Sequence, residues 1–190
     1  MPTTLAMRVP LNVRSRAMPA TPPMPSYLMS VLSRQLALGP SAFLLRYPNS
    51  WLVWETGTWA VPSMDDQRSV AQTRLAETRP PRAPTGDALC FALRAPDGTP
   101  VRLGRAVDNE IVIADPTVSR FHARLDRNEG VWSVTPVNDP ALVGDDVVTP
   151  GASKSLQPGE AIELGGVRLA FYDSRSFKDR VSTVPLRPSR

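Results

Sequence analysis

The feature that most constrains the fold is a series of short apolar runs, each ended by a turn sequence, between residues 87 and 173. The runs include ALCFAL, VRLGRA, IVI, VWSV, AIEL and VRLAFYD, and turns such as Pro96-Asp97-Gly98 and Gly165-Gly166 separate them. No helical period runs through the segment, and this pattern is typical of antiparallel sheets packed face to face. We therefore predict an all-β antiparallel sandwich. Its binding groups must lie on the end loops, because the strand faces form the core.

Prolines divide the remainder of the chain. The 21 prolines are concentrated in residues 1–25, in 61–86 and after the sandwich. Such segments bury too little apolar surface to offset the cost of ordering their backbone. We predict a disordered tail over 1–25, a linker over 63–86, the sandwich domain over 87–173 and a basic tail over 174–190.

Residues 26–62 show a different pattern. Apolar residues recur at helical spacing through SYLMSVLSRQLALG and stop at Gly39-Pro40, which predicts one short helix. Two apolar runs then flank the turn sequence PNS at 48–50, which predicts a tryptophan-rich hairpin. A helix and a hairpin alone are too small for a stable core, so we expect them to dock on the sandwich or on a partner.

Charge is distributed unevenly along the chain. Residues 86–173 contain 8 basic and 13 acidic side chains, a net charge of −5. The remaining residues contain 14 basic and 5 acidic side chains, a net charge of +9, and the two sums give the +4 of the whole chain. The high isoelectric point therefore describes the flanks, and it disfavours nucleic acid as a ligand of the folded domain.

Cysteine and histidine usage excludes several kinds of site. The single cysteine, Cys90, cannot form an internal disulfide, and one histidine adds too few ligands for a zinc site. Cys90 lies in ALCFAL, where a buried small side chain is expected. No apolar run reaches the length of a membrane helix, and no secretory apolar segment follows the N-terminal arginines. We predict a cytoplasmic protein with no metal, no cofactor and no membrane partner.

Two motifs carry the candidate chemistry. Gly104-Arg105 follows the run VRL, and Ser119-Arg120 precedes the run FHARL. If the two loops lie side by side, the guanidinium of Arg105 and the hydroxyl of Ser119 converge on one point. An arginine fork and a neutral donor suit a phosphate ester, to which they give charge-assisted hydrogen bonds. The sequence therefore predicts recognition of a phosphate.

His122 lies three residues after Ser119, and this spacing raises the alternative of a nucleophile and its base. Residues three apart on a strand face opposite sides, and no third group is placed by the sequence to orient the ring. We therefore favour a half-buried imidazole that ties the Ser119 loop to backbone groups. The protein is not expected to be an enzyme.

These motifs, in this order, resemble a forkhead-associated (FHA) domain. The resemblance includes D-x-x-V-S-R-x-H from Asp115 to His122 and a closing L-x-x-G-E-x-I-x-L-G-x-x-R-L-x-F from Leu156 to Phe171. It implies a sandwich of about eleven strands that binds phosphothreonine peptides through loops at one end. It also implies the site residues: Arg105 and Ser119 on the phosphate, Arg120 near the peptide main chain, and Gly104 and His122 as structural support.

The third signature of the family, an Asn-Gly, is absent from TPVNDPALVGDD. Aligning DPALVGD with the family pattern N-G-T-x-V-N-G places Asn138 where a phosphate-contacting Ser or Thr is common. It places Asp139 where an asparagine usually binds the peptide backbone. Asn138 can still donate a hydrogen bond, whereas Asp139 offers acceptors only and adds a negative charge. An alignment shifted by one residue restores asparagine at that place.

Three functions remain open at this point. The first is a module that recruits a phosphothreonine-bearing protein, such as a Ser/Thr kinase or its substrate, in kinase signalling. The second is a structural interaction domain that has lost phosphate binding and works through its tryptophan-rich N-terminal region. The third, nucleic-acid binding through the basic flanks, predicts a steep dependence of affinity on salt.

Overall fold

Residues 23–55 and 87–184 are described by a computed structural model, in which they form twelve strands and three helices. The strands are β1 (Ser26–Leu28), β2 (Ser50–Trp54), β3 (Leu89–Leu93), β4 (Val101–Gly104), β5 (Ile111–Val112), β6 (Ala123–Asn128), β7 (Val131–Pro136), β8 (Ala141–Val143), β9 (Asp146–Val148), β10 (Lys154–Ser155), β11 (Ala161–Leu164) and β12 (Val167–Tyr172). The helices are α1 (Met29–Leu38), α2 (Phe43–Arg46) and α3 (Ser174–Ser182).

The strands form two sheets that pack face to face. One sheet has the order β1-β3-β2-β12-β11-β8-β9 and the other has the order β10-β7-β6-β4-β5. Paired strands are antiparallel except β4 and β5, which are parallel. Apolar side chains from both inner faces form one core, and its fully buried members include Leu103, Leu125, Val134, Ile162 and Leu169. The predicted all-β sandwich is therefore confirmed.

Strand β2 lies in the middle of the seven-stranded sheet, although it comes from the N-terminal part of the chain. It pairs along its whole length with β3 on one side and along most of it with β12 on the other. Its side chains alternate: Leu52 and Trp54 enter the sandwich core, whereas Trp51 and Val53 enter a second core on the outer face of the sheet. Because both faces are covered, all four side chains are fully buried.

The predicted hairpin around residues 48–50 is wrong. Its first apolar run, FLLR, forms the helical turn α2, and only the second run forms a strand. A four-residue apolar run fits a helix or a strand equally well by local pattern. Here Phe43 is buried in the second core and Leu45 is 85% exposed. The run therefore needs to bury only one side, and a helical turn does this. The second run pairs with distant strands rather than with its neighbour.

The second core lies between the seven-stranded sheet and helices α1 and α3. Leu32 of α1 and Phe177 of α3 are fully buried in it. The Phe177 ring stacks on Trp51 of β2, with ring centroids 4.1 Å apart and planes 11° from parallel. The helices thus cover the face of β2 and β3 that the other sheet does not reach.

The expectation of a basic tail from residue 174 onward is wrong for its first part, which forms α3. The carboxylate of Asp173 caps this helix, because it accepts hydrogen bonds at 2.7 Å from the backbone N–H and from the hydroxyl of Ser176. Phe177 and Val181, four residues apart, then face the second core together. A local cap and a two-residue apolar face stabilise this short helix against the sheet.

The predicted disordered tail and linker fall mainly on residues 1–22 and 56–86, which lie outside the described residues, as does Trp59. Those predictions stay predictions. At the edge of the tail, Met24 donates its N–H to the carbonyl of Glu110 at 2.8 Å, and Pro25 accepts the N–H of Ala92 at 2.9 Å. These two residues of the predicted tail are therefore fixed against the sandwich.

Cys90 lies on β3 with its side chain in the second core and no exposed surface. Burial, with a smaller contribution from the carboxylates of Asp87 and Glu55, raises the pKa of its thiol well above the usual value. The thiol therefore stays protonated at neutral pH and acts as a small apolar group.

A buried carboxylate, Glu110, joins the loop after β4 to β4 itself. Its side chain accepts hydrogen bonds from Nε, Nη2 and the backbone N–H of Arg102 at 3.0, 2.8 and 2.7 Å. Burial alone would raise the pKa of Glu110, but the hydrogen bonds from Arg102 outweigh burial and hold this pKa below its ordinary value. The ionised carboxylate is therefore the form that the fold stabilises.

We expect Glu110→Gln to lower the free energy of unfolding by about 2 kcal/mol at pH 7, because it removes a charged hydrogen-bond acceptor. Since the pKa of Glu110 is lower in the folded state, its contribution is fully present above the unfolded pKa of about 4.3 and is lost as pH falls through the folded pKa. Urea denaturation at pH 7 and at about pH 3.5 checks this. The half-exposed Glu163→Gln is the matched control, with an expected loss below about 0.5 kcal/mol. An equal loss for Glu110→Gln at both pH values would contradict the assignment.

Candidate functional site

Three loops meet at one end of the sandwich. They are residues 105–110 after β4, 113–122 before β6 and 137–140 before β8. Beyond the pairing of β4 and β6, the N–H groups of Arg105 and Ala106 donate to the carbonyls of Ser119 and Arg120 at 2.9 and 3.0 Å, so backbone hydrogen bonds also join the two loops. The two sequence motifs therefore lie side by side in space.

Gly104, the last residue of β4, packs directly against the backbone of the second loop. A Cβ atom at this position would lie 2.9 Å from the carbonyl carbon of Arg120 and 2.9 Å from the backbone nitrogen of His122, and still closer to the carbonyl oxygen of Arg120. All of these atoms belong to the backbone of residues 120–122, which cannot move aside as the end of a flexible side chain could. A glycine is therefore required here, because two backbone segments approach each other closely.

Arg105 and Ser119 are both partly exposed, so neither side chain is sealed inside the sandwich. The Nε–H of Arg105 donates to the carbonyl of Val118 at 3.2 Å, which fixes the guanidinium beside the Ser119 loop. Its terminal nitrogens have no hydrogen-bond partner among residues 23–55 and 87–184. Arg120, the next residue of the Ser119 loop, is exposed. This end of the sandwich thus presents two arginines to a ligand.

His122 is 1% exposed and lies beneath the loops. Its Nδ1 accepts the backbone N–H of Ser119 at 3.2 Å, and its Nε2 lies 3.4 Å from the carbonyl oxygen of Pro140. These partners are both satisfied by a neutral ring that carries its proton on Nε2. The imidazole meets the backbone of Ser119 and not its hydroxyl, so the pair lacks the geometry of a nucleophile and its base.

The third loop contacts the second through Asn138 and Asp139. The side-chain amide of Asn138 donates to the carbonyl of Phe121 at 2.8 Å. The hydroxyl of Ser119 donates to the carboxylate of Asp139. The Ser119 hydroxyl, which the sequence motif assigns to phosphate binding, is thus hydrogen-bonded to a carboxylate. The alignment did not predict this contact.

Asn109 is a residue that the sequence analysis missed. Its side chain is 3% exposed, and its amide donates to the carbonyls of Ala106 at 2.8 Å and Arg120 at 2.7 Å. One amide therefore links the loop of Arg105 to the loop of Ser119. The pair Asn109-Glu110 directly before the apolar run IVI was the available signal, but no local pattern shows where the amide points.

Thr117 fixes the other side of the Ser119 loop. Its hydroxyl accepts the N–H of Gly166, in the β11–β12 turn, at 2.7 Å, and donates to the carboxylate of Asp115 at 2.5 Å. Gly165 of the same turn has a φ of +59°, and a Cβ there would collide with the backbone of Thr117. The Gly165-Gly166 turn predicted from the sequence therefore also supports the site.

Comparison with known proteins places this geometry in a family. Residues 92–175 match the family model described as the inner membrane component of T3SS, cytoplasmic domain. The chain is 30% identical over 125 residues to the oxoglutarate dehydrogenase inhibitor of Corynebacterium glutamicum. This alignment covers 61% of this chain and 86% of the inhibitor. It is 33% identical over 95 residues to an FHA domain-containing protein of Arabidopsis thaliana, over 48% of this chain and 23% of that protein. The chain belongs to the FHA domain family.

Solved FHA domains give a comparison of fold. The solution structure of the FHA domain of a hypothetical protein of Arabidopsis thaliana is 22% identical, with a TM-score of 0.43, and covers 67% of this chain and 87% of that one.

In residues 23–55 and 87–184, no three His, Cys, Asp or Glu side chains are grouped so that they could hold a metal ion. The helices in the same ranges are too short or too polar to span a lipid bilayer.

Proposed function

We propose that this FHA protein is a binding module that recognises phosphothreonine in a partner protein, as the recruiting component of Ser/Thr-kinase signalling. The single observation that carries the proposal is the adjacency of Arg105 and Ser119, whose backbones are hydrogen-bonded at 2.9 Å while both side chains stay accessible. A phosphate brings a charge of about −1.5 to −2 and three acceptor oxygens. The two terminal nitrogens of Arg105 match two of those oxygens.

Two further residues extend the proposed site. Arg120 is exposed beside Ser119 and is suited to carbonyls of the peptide main chain, because guanidinium groups only donate. Asn138 lies on the neighbouring loop, and its amide carries a second N–H for a phosphate oxygen besides the one bonded to Phe121. The bonds of His122 to the backbone keep the Ser119 and Pro140 loops together. The proposed function needs no bond-making group, and a kinase or its substrate would be the partner.

The alternative of a domain that works through its tryptophan-rich region has little support. Trp51 and Trp54 are fully buried in the two cores, so a partner cannot contact them without unfolding β2. One observation does favour a domain without phosphate binding, namely the carboxylate of Asp139 on the Ser119 hydroxyl. Binding of phosphorylated and unphosphorylated peptides distinguishes the two functions.

We expect the protein to bind members of a phosphothreonine peptide library and not to bind the matched unphosphorylated peptides. Arg105→Ala is expected to lower the affinity for the selected peptide roughly 10- to 100-fold, because it removes charge-assisted hydrogen bonds worth about 1.5–3 kcal/mol. Arg105→Lys should restore little, since a lysine has the charge without the fork. Fluorescence anisotropy with labelled peptides gives each dissociation constant.

The matched control is Arg168→Ala, which removes the same charge from the exposed face of β12, where Arg168 pairs with Glu163. Its affinity for the selected peptide should stay within about twofold of the starting protein. Equal binding of phosphorylated and unphosphorylated peptides, unchanged by Arg105→Ala, would support the domain without phosphate binding.

A further inference from the structure

The hydrogen bond from Ser119 to Asp139 puts a negative charge inside the proposed phosphate pocket. Asp139 is exposed, and none of the ion pairs formed within residues 23–55 and 87–184 includes it. Within these residues its carboxylate accepts one hydrogen bond, from the hydroxyl of Ser119. By contrast, Asp115 on the adjacent loop already accepts both the N–H and the hydroxyl of Thr117.

A phosphate that takes the Ser119 hydroxyl would lie next to this carboxylate. Two like charges at such a distance repel each other, and the repulsion is stronger where the pocket excludes water. The cations of Arg105 and Arg120 offset part of it. A cation supplied by the ligand, placed against Asp139, would offset the rest and would give this carboxylate a partner.

The charge of the whole domain acts in the same direction. Residues 86–173 carry a net charge of −5, and the segments 23–55 and 174–184 that pack on them add +1 and +2, so the described residues sum to −2 and their field weakly favours a basic peptide over an acidic one. Both the local carboxylate and the surrounding field therefore disfavour a phosphate that arrives among acidic residues.

We propose that Asp139 makes the pocket selective for phosphothreonine that has a lysine or arginine within two residues of it. This inference rests on the proposed function. When the pocket is empty, Asp139 accepts a hydrogen bond from the Ser119 hydroxyl. When a phosphate binds that hydroxyl instead, Asp139 pairs with the basic side chain of the peptide. The partner is thus a basic segment that is phosphorylated on threonine.

The test uses one phosphothreonine core sequence with Lys, Ala or Glu at the neighbouring positions. The protein should bind the Lys-flanked peptide at least tenfold more tightly than the Glu-flanked peptide in about 50 mM salt, and the ratio should shrink as salt screens the charges. Asp139→Asn should reduce the ratio to below about threefold. It should also raise the affinity for the Ala-flanked peptide several-fold, because the amide no longer repels the phosphate.

Asp145→Asn is the matched control, because it removes the same charge from an exposed turn of the same domain, between β8 and β9. It should leave most of the Lys-over-Glu ratio intact. A ratio that is unchanged in Asp139→Asn, or lowered equally by Asp145→Asn, overturns the role of Asp139 and leaves the proposed function standing. If neither the starting protein nor its Asp139→Asn variant binds any phosphorylated peptide, both the role of Asp139 and the proposed function are overturned.

Discussion

A chain that lacks residues 1–55 is expected not to form the sandwich, even though every strand of the family motif would remain in it. The deletion removes β2 from the middle of the seven-stranded sheet and leaves the facing backbone groups of β3 and β12 without partners. It also removes Trp51 and Trp54, which are both fully buried. Truncating one buried tryptophan costs about 3–5 kcal/mol, and a domain is stable by only about 5–15 kcal/mol.

The measurement is the dispersion of amide signals in an NMR spectrum together with the cooperativity of unfolding in urea. A chain that lacks only residues 1–22 keeps every described strand and helix, and serves as the control that should unfold cooperatively. A synthetic peptide of residues 23–55 added to the long deletion should restore the dispersed spectrum. Cooperative unfolding of the long deletion at the midpoint of the full chain would contradict the place of β2 in the sheet.

Gly104→Ala is expected to cost about 3 kcal/mol of folding free energy, because a methyl group at this position overpacks a contact between two backbones. The carbonyl group of Arg120 and the nitrogen of His122 lie where the methyl group would be, and neither belongs to a flexible side chain. Relief of the clash must separate the loop of Arg105 from the loop of Ser119. We therefore also expect the affinity for a phosphothreonine peptide to fall at least about tenfold, equivalent to about 1.4 kcal/mol.

The control for this substitution is Gly39→Ala, at the end of α1. Gly39 has a φ of −155°, which any residue adopts, and a Cβ there would lie 3.9 Å from the nearest atom, the Cβ of Ala42. Its unfolding free energy should change by less than about 0.5 kcal/mol. Urea denaturation and anisotropy titration of both variants give the comparison. Equal stability of the two variants would show that the loops tolerate a side chain at residue 104.

Local patterns predicted the strands and turns whose conformation depends on residues close together in the sequence. The strands between 87 and 173 follow from apolar runs and turn residues such as those at Gly165-Gly166, because a turn is decided by the few residues that form it. The same patterns misplace the segment FLLRYPNSWLVWE, because FLLR fits a helical turn as well as a strand and because no local pattern shows which strands SWLVW pairs with. The helix α3 had a local signal, the cap at Asp173, but its stability comes from packing on β2.

The candidate site shows the same division. The sequence by itself determined that an arginine and a serine lie on end loops of a sandwich, since turn residues and apolar runs place them there, and the resemblance to the FHA family implied that the two loops meet. Only the tertiary structure decided that Asp139 reaches the hydroxyl of Ser119 and that Asn109 links the two loops. The partners in these two contacts are 20 and 11 residues apart in the chain. Side-chain contacts between separate loops depend on how the strands place those loops, which no local pattern records.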